Sequence, residues 1–159
     1  MSYYIYAKFI FIILLVSCSS SHFIRYSARV CSNNPLIYSM NEIIDFKSIQ
    51  PSNLDVAVTS TLADADKILT EVITIENAAR TFENTLLKMD DLYNILSKVW
   101  NLIDLLSSTH PSEAVRGKAD ENDLRIQEYI FGLSINEDLY KAILAYSKSK
   151  EAESLIGGR

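Results

Sequence analysis

The clearest hydrophobic pattern in the chain lies between Thr81 and Ser108. Apolar residues recur there at spacings of three and four with polar residues between them, which is typical of one amphipathic helix. The apolar stripe consists of Phe82, Leu86, Met89, Leu92, Leu96, Val99, Ile103 and Leu106, widened by Tyr93 and Trp100. The Thr81 hydroxyl can accept a hydrogen bond from the free N–H groups of the first turn. The pattern therefore predicts a core helix that Thr81 caps.

A second helix is predicted before this one, from Ser52 to about Ile75. Ser52 and Asp55 have the spacing of a capping box, with a hydroxyl at the cap and a carboxylate three residues later. The apolar positions that follow also share one helical face: Leu54, Val58, Leu62, Ala65, Leu69 and Val72. The connection at residues 76–80 is short, so the two helices should run antiparallel.

Two more helices are predicted after Thr109-His110-Pro111, which ends the central helix. One starts at residue 113, with Ser112 as its cap, and runs to about 131, where Gly132 to Ile135 should break it. Its apolar residues do not form one clean face, and they comprise Val115, Ala119, Leu124, Ile126, Ile130 and Phe131. The last helix follows Asn136 as cap, and its predicted apolar face is Leu139, Tyr140, Ile143, Leu144 and Tyr146.

These patterns predict an all-α fold, an antiparallel bundle of about four helices over residues 51–153. Residues 19–50 form a tether and an irregular lead-in, and residues 154–159 a tail that should fray. Residues 35–159 hold twenty acidic and twelve basic residues, a net charge of −8. Such a domain lacks the basic surface with which proteins bind nucleic acids, so no nucleic-acid partner is expected.

The chain begins with an apolar segment that ends at Val16. It is too short to span a bilayer, which needs about 20 apolar residues, and it suits the core of a signal peptide. Leu15-Val16-Ser17-Cys18 resembles a bacterial lipobox, in which the cysteine takes a lipid and becomes the new N-terminus. We therefore predict a lipoprotein signal peptide at 1–18 with Cys18 as the lipidation site. The protein would then be in the cell envelope, anchored to the membrane or exported to the periplasmic side.

Other interpretations of this segment stay open. An ordinary cleaved signal, a signal anchor or spurious upstream translation would each also fit residues 1–18. Cys31 is the second cysteine. It is a free thiol if Cys18 is lipidated, and it can pair with Cys18 only if neither cleavage nor lipidation occurs.

Several short stretches resemble the N-terminal region of the thimet oligopeptidase, oligopeptidase A and peptidyl-dipeptidase family of zinc metallopeptidases. The most specific stretch is Thr81-Phe-Glu-Asn-Thr85, which leads into a helix that continues Leu-Ser-Lys-Val-Trp-Asn-Leu. The flanking matches are Asn33-Asn-Pro-Leu36, Phe46-Lys-Ser-Ile-Gln-Pro51 and Asn136-Glu-Asp-Leu-Tyr-Lys141. Together the resemblance covers about residues 33–150.

The catalytic chemistry of that family is absent from this sequence. The family binds zinc through H-E-x-x-H, in which two histidines one helical turn apart hold the metal and the glutamate activates water. The only histidines here are His22 and His110, and neither begins the motif. Asp120 to Asp123 resembles a calcium loop only superficially, because Leu124 and Arg125 stand where a ligand and a glycine are required. We predict no catalytic, cofactor or metal residue in this chain, and expect the aromatic residues to belong to the core and its margin.

The resemblance implies a truncated N-terminal portion of a zinc metallopeptidase that hydrolyses short peptides. In that family these helices form part of the wall of a deep channel, with the catalytic zinc elsewhere. Peptides would be partners only together with the absent catalytic region, and the chain alone should be inactive. The alternative is a small envelope lipoprotein whose helices form a protein-interaction domain.

Overall fold

The computed structural model describes residues 34–37 and 43–157 of the chain. The predicted signal peptide at 1–18, its predicted lipidation site Cys18, and Cys31 lie outside the described residues. Five α-helices and no β-strand occur between residues 43 and 157, which confirms the all-α prediction. They are α1 (Pro51–Ile73), α2 (Lys88–Thr109), α3 (Glu113–Ser134), α4 (Glu137–Ser147) and α5 (Lys150–Gly157). None of these helices is long and apolar enough to cross a bilayer.

Helix α1 begins one residue earlier than predicted, and Ser52 is not its cap. Proline has a fixed φ and no N–H to leave unpaired, so Pro51 suits the first helical position. Gln50 takes the cap position, where its backbone N–H donates to Asn53 Oδ1 at 2.8 Å. The capping-box assignment to Ser52 and Asp55 was therefore wrong by two residues.

Thr81 caps the central helix as predicted. The Asn84 N–H donates to Thr81 Oγ1 at 3.2 Å, and the Thr81 N–H donates to Asn84 Oδ1 at 2.8 Å. This reciprocal pair satisfies two N–H groups that a helix start leaves free. The first turn is a π-helix, Glu83–Leu87, which the apolar periodicity did not predict.

The second half of the chain contains more helix than the sequence suggested. Helix α3 continues through Gly132 to Ser134, because the burial of Leu133 offsets the roughly 1 kcal/mol that glycine costs in a helix. Asn136 caps α4 as predicted, accepting from the Leu139 N–H at 2.8 Å. Residues 154–157, part of the predicted tail, belong to α5, whose start is held where Ser149 Oγ accepts from the Ala152 N–H at 3.2 Å.

Helices α1, α2 and α3 contact one another, and α4 packs against α1 and the π-turn. The buried apolar side chains form two clusters, one at each end of these three helices. The first joins the start of α1, the end of α2 and the start of α3 with Leu36 and Ile49 of the lead-in. The second joins the end of α1, the start of α2, the end of α3 and α4. Three antiparallel helices therefore form the bundle, and α4 covers one end.

Most predicted core positions are buried, but several large apolar ones are not. In α2 the stripe from Met89 to Leu106 is buried, whereas Phe82 at its start is 41% exposed. Phe131 and Tyr140 were assigned to apolar faces and are each 65% exposed. In α4 the buried face is Leu139, Ala142 and Tyr146, because these positions turn toward the bundle at spacings of three and four.

Candidate functional site

His110 is a structural residue of the α2–α3 turn. Its Nδ1 accepts from the Ser112 N–H at 3.1 Å, so its Nε2 carries the proton and donates to the Phe46 carbonyl at 3.2 Å. Both ring nitrogens of this buried side chain therefore form hydrogen bonds with backbone groups. No group of three or more histidine, cysteine, aspartate or glutamate side chains that could hold a metal occurs in residues 34–37 and 43–157. His22 lies outside that part of the chain.

Asn122 links α1 and α3 from a fully buried position. Its Nδ2 donates to Asp55 Oδ1 at 2.9 Å and to the Lys118 carbonyl at 3.0 Å. Its Oδ1 accepts from Arg125 Nη1 at 2.7 Å, and Arg125 Nη2 reaches Thr59 Oγ1 at 2.9 Å. A buried amide with its donors and acceptor paired in this way holds two helices in one register. The acidic stretch 120–123 is thus helical and structural.

The sequence spacing places Asn122 at a core position, but its polar side chain kept it out of the apolar pattern. Val115, Ala119, Asn122 and Ile126 follow one another at spacings of four, three and four, and all four are buried. The irregular apolar pattern of this helix arises because a polar residue takes one core position, while Leu124 and Phe131 are exposed.

The stretch Thr81-Phe-Glu-Asn-Thr85 joins three parts of the fold. The buried Thr85 donates from Oγ1 to Asn84 Oδ1 at 3.0 Å. The Phe82 N–H donates to Glu151 Oε2 at 2.9 Å, which ties the start of the π-turn to α5. Asn84 Nδ2 donates to the Ala79 carbonyl at 2.9 Å, in the connection between α1 and α2. The polar contacts of this stretch therefore cap the start of α2 and tie it to two neighbouring segments.

Arg80 precedes this stretch and is 7% exposed. Its Nη1 donates to the Val72 carbonyl at 2.8 Å, and its Nε donates to Asn77 Oδ1 at 3.1 Å. Arg80 therefore satisfies a free carbonyl at the end of α1. No periodicity or motif in the sequence marked this residue.

Trp100 lies at the edge of the bundle and is only partly buried. Its Nε1 donates to Asp123 Oδ1 at 2.6 Å, and Gln127 Nε2 donates to the other oxygen of that carboxylate. A shallow depression of about 300 Å³ opens beside these groups. Trp100 thus bridges α2 and α3 by a hydrogen bond as well as by packing.

The pKa values of two groups at the surface of the bundle are shifted, and each shift has a local structural cause. Partial burial raises the pKa of the Tyr129 hydroxyl well above 10.0, and its hydrogen bond to Asp66 at 2.9 Å acts in the same direction. The hydrogen bond from Lys141 lowers the pKa of Glu137 in the first turn of α4. These are interhelical and intrahelical contacts, and they do not converge on one cleft.

Two helices carry exposed apolar faces, which we call the α3 face and the α4 face. The α3 face consists of Leu124, Phe131 and Ile135, and the α4 face of Tyr140, Ile143 and Leu144. Where exposed apolar side chains form a large contiguous patch, they mark a surface that packs against another molecule or another part of a protein.

The comparison with known proteins agrees with the resemblance in the sequence. Over 77 residues, 48% of this chain, the sequence is 34% identical to a thimet-like oligopeptidase of Dictyostelium discoideum. The chain spans about a tenth of that relative, since the matched stretch is 11% of its length. No family model and no solved structure matches the chain. The similarity supports a relationship with part of an oligopeptidase.

Proposed function

We propose that residues 51–153 are the N-terminal, non-catalytic portion of a zinc oligopeptidase. In this role the helices form channel wall and scaffold, and the zinc, the water-activating glutamate and most peptide contacts belong to a catalytic region that this chain does not contain. The observation that carries the proposal is the similarity over 77 residues to a thimet-like oligopeptidase. The chain alone would bind no zinc and hydrolyse no peptide.

Two features of the fold support a scaffolding role. The three long helices are held by two apolar clusters and by the buried Asn122, an arrangement suited to a rigid wall. The α3 and α4 faces leave apolar side chains exposed, as expected where a further part of a larger protein would pack. The alternative, an envelope lipoprotein with an interaction domain, would use the same faces but gains no support from the comparison.

The first test combines metal analysis with a peptidase assay. The purified chain is incubated with zinc, dialysed and analysed for bound metal, and its activity is measured with an internally quenched oligopeptide. We expect no stoichiometric zinc and no hydrolysis, because the ligand set and general base of such an enzyme are absent. The Dictyostelium enzyme serves as the positive control. One tightly bound zinc per chain, with hydrolysis that a chelator abolishes, would refute the proposal.

A second test asks whether the domain can serve as a scaffold. The matching stretch of the Dictyostelium oligopeptidase is replaced by the corresponding helices of this chain, and hydrolysis of the same peptide is measured. We expect a folded, active chimera. The control chimera carries Asn122→Asp, which should weaken the α1–α3 contact and lower the yield of active enzyme. A folded, zinc-loaded chimera without activity would contradict the scaffold role.

We make a separate proposal for the N-terminal segment. In a bacterial host, Cys18 is the lipidated mature N-terminus and anchors the domain to a membrane. Its support is the sequence Leu15-Val16-Ser17-Cys18 after an apolar run. Mass spectrometry of membrane-extracted protein should show loss of residues 1–17 and added acyl mass. An intact Met1, or a free thiol at Cys18, would refute it.

A further inference from the structure

An open depression of about 580 Å³ lies between the α1–α2 connection and the first turns of α4. Ile73 and Ile75 contribute apolar wall, and Lys141 and Asp138 lie on the opposite side. Arg80 lines the same depression from a position that is more than nine-tenths buried. The depression therefore combines an apolar wall with a nearly buried cation.

Arg80 is not fully paired within the protein. A guanidinium has five N–H donors, and two of them are used, one by the Val72 carbonyl and one by Asn77 Oδ1. Both of these acceptors are neutral. Among the described residues no carboxylate forms an ion pair with Arg80, whereas Asp138 on the facing wall is within 3.8 Å of Lys141 Nζ. Three N–H donors of Arg80 therefore have no hydrogen-bond partner among the described residues, and this residue lines the depression.

A nearly buried cation that forms no direct ion pair is unfavourable, because the low-dielectric surroundings replace its hydration only in part. The carbonyl end of α1 compensates some of the charge, since a helix C-terminus carries about half a negative charge. The remainder favours an anion that accepts from the unused N–H groups, and a carboxylate matches their fork geometry. Glu76 and Asp138 also line the depression, and their repulsion acts about twice as strongly on a doubly charged anion such as phosphate as on a singly charged carboxylate.

We propose that this depression is a binding site for a carboxylate group of a peptide or protein ligand, held by Arg80, with the adjoining apolar part of the ligand against Ile73 and Ile75. The inference rests on Arg80 and its surroundings and does not depend on the proposed function. Two sources of the carboxylate have the same chemistry, a free C-terminus and an acidic side chain, and the experiment separates them.

The test is a nuclear magnetic resonance titration of the full-length, nitrogen-15-labelled chain, following the Nε–H signal of Arg80. Five probes are used: acetyl-Ala-Leu with a free carboxylate, its amide, acetyl-Glu-Leu-amide, acetyl-Gln-Leu-amide and inorganic phosphate. We expect saturable shifts at Arg80 with one or both carboxylate probes at up to about 20 mM, the range for weak single-site binding. The neutral amide and Gln probes should leave the signal in place. Which carboxylate probe binds identifies the source.

Two variants complete the design. Arg80→Lys keeps the charge but loses the fork, and should weaken binding by roughly tenfold. Binding to this variant and to the wild type is compared through the backbone N–H signal of Asn77, which also lines the depression. Arg116→Lys is the matched control, since Arg116 also donates to carbonyls at a helix end, those of His110 and Pro111, and its loss should leave binding unchanged. The wild-type comparison of acid with amide probes stays decisive if Arg80→Lys does not fold. Shifts absent with both carboxylates, equal with the neutral probes, or stronger with inorganic phosphate would each overturn the proposal.

Discussion

Exchanging one atom at Asn122 should strongly destabilise the bundle. In Asn122→Asp an oxygen replaces Nδ2, which now donates to Asp55 Oδ1 at 2.9 Å and to the Lys118 carbonyl at 3.0 Å. Both hydrogen bonds are lost, at about 1 kcal/mol for the neutral acceptor and about 2 kcal/mol for the charged one. The size and shape of the side chain hardly change, so no cavity contributes to the loss.

The new carboxylate also faces that of Asp55. Two like charges about 3 Å apart repel by roughly 5 kcal/mol at an effective dielectric constant of about 20. Arg125, at 2.7 Å from Asn122 Oδ1, offsets most of this repulsion because its attraction has a similar size. We therefore expect a net loss of about 3 kcal/mol in the free energy of unfolding at neutral pH. The loss should shrink in acid, where the carboxyl pair can share a proton and regain a donor.

Urea unfolding followed by circular dichroism measures this change. Asn94→Asp is the matched control, because Asn94 is exposed and the same substitution there should change stability by less than about 0.5 kcal/mol. The double variant Asp55→Asn with Asn122→Asp reverses donor and acceptor across the same contact. It should recover at least about 1.5 kcal/mol relative to the sum of the single variants. A loss below about 1 kcal/mol for Asn122→Asp, or strict additivity in the double variant, would refute the reasoning.

Three further substitutions test individual contacts by the same unfolding measurement. Thr81→Ala should cost about 1 kcal/mol and Thr81→Ser much less, because only alanine leaves the Asn84 N–H without its acceptor; equal losses would contradict this. Trp100→Ala should lower the free energy of unfolding by about 2 kcal/mol, less than the 3–5 kcal/mol expected for a fully buried aromatic residue. Trp100→Phe should lose mainly the hydrogen bond to Asp123. Tyr146→Phe should unfold at the same or a higher urea concentration than the wild type, since this buried hydroxyl has no hydrogen-bond partner among the described residues; a lower midpoint would show that the hydroxyl is paired.

The local sequence determined where the central helix, α3 and α4 begin and where α2 ends. Thr81 and Asn136 cap helices in the structure as their position before an apolar pattern predicted, and Pro111 follows the end of α2. These features depend on residues within one turn of each other, so they can be read without knowledge of the fold. Where local signals competed, as at Pro51 and Ser52, the residue with the stronger backbone restriction decided the start.

Burial was determined only partly by the sequence. A helical period gives the angular position of a side chain around its own axis, but not whether another helix lies on that side. Leu92 and Leu96 face α1 and α3 and are buried, whereas Phe131 and Tyr140 have equally apolar side chains and no helix of the described residues over them. Asn122 shows the converse, since a polar residue occupies a core position where Asp55 and Arg125 can satisfy it.

The zinc motif and the proposed carboxylate site differ in what is needed to recognise them. The absence of H-E-x-x-H is a property of the sequence alone, because that motif needs fixed spacing within one helix. The proposed carboxylate site at Arg80 depends on the tertiary structure, because the depression forms where α4 lies beside the α1–α2 connection that holds the nearly buried Arg80. Charge and spacing in the sequence do not specify which cations lose their water, since desolvation depends on neighbours that folding brings together from distant parts of the chain.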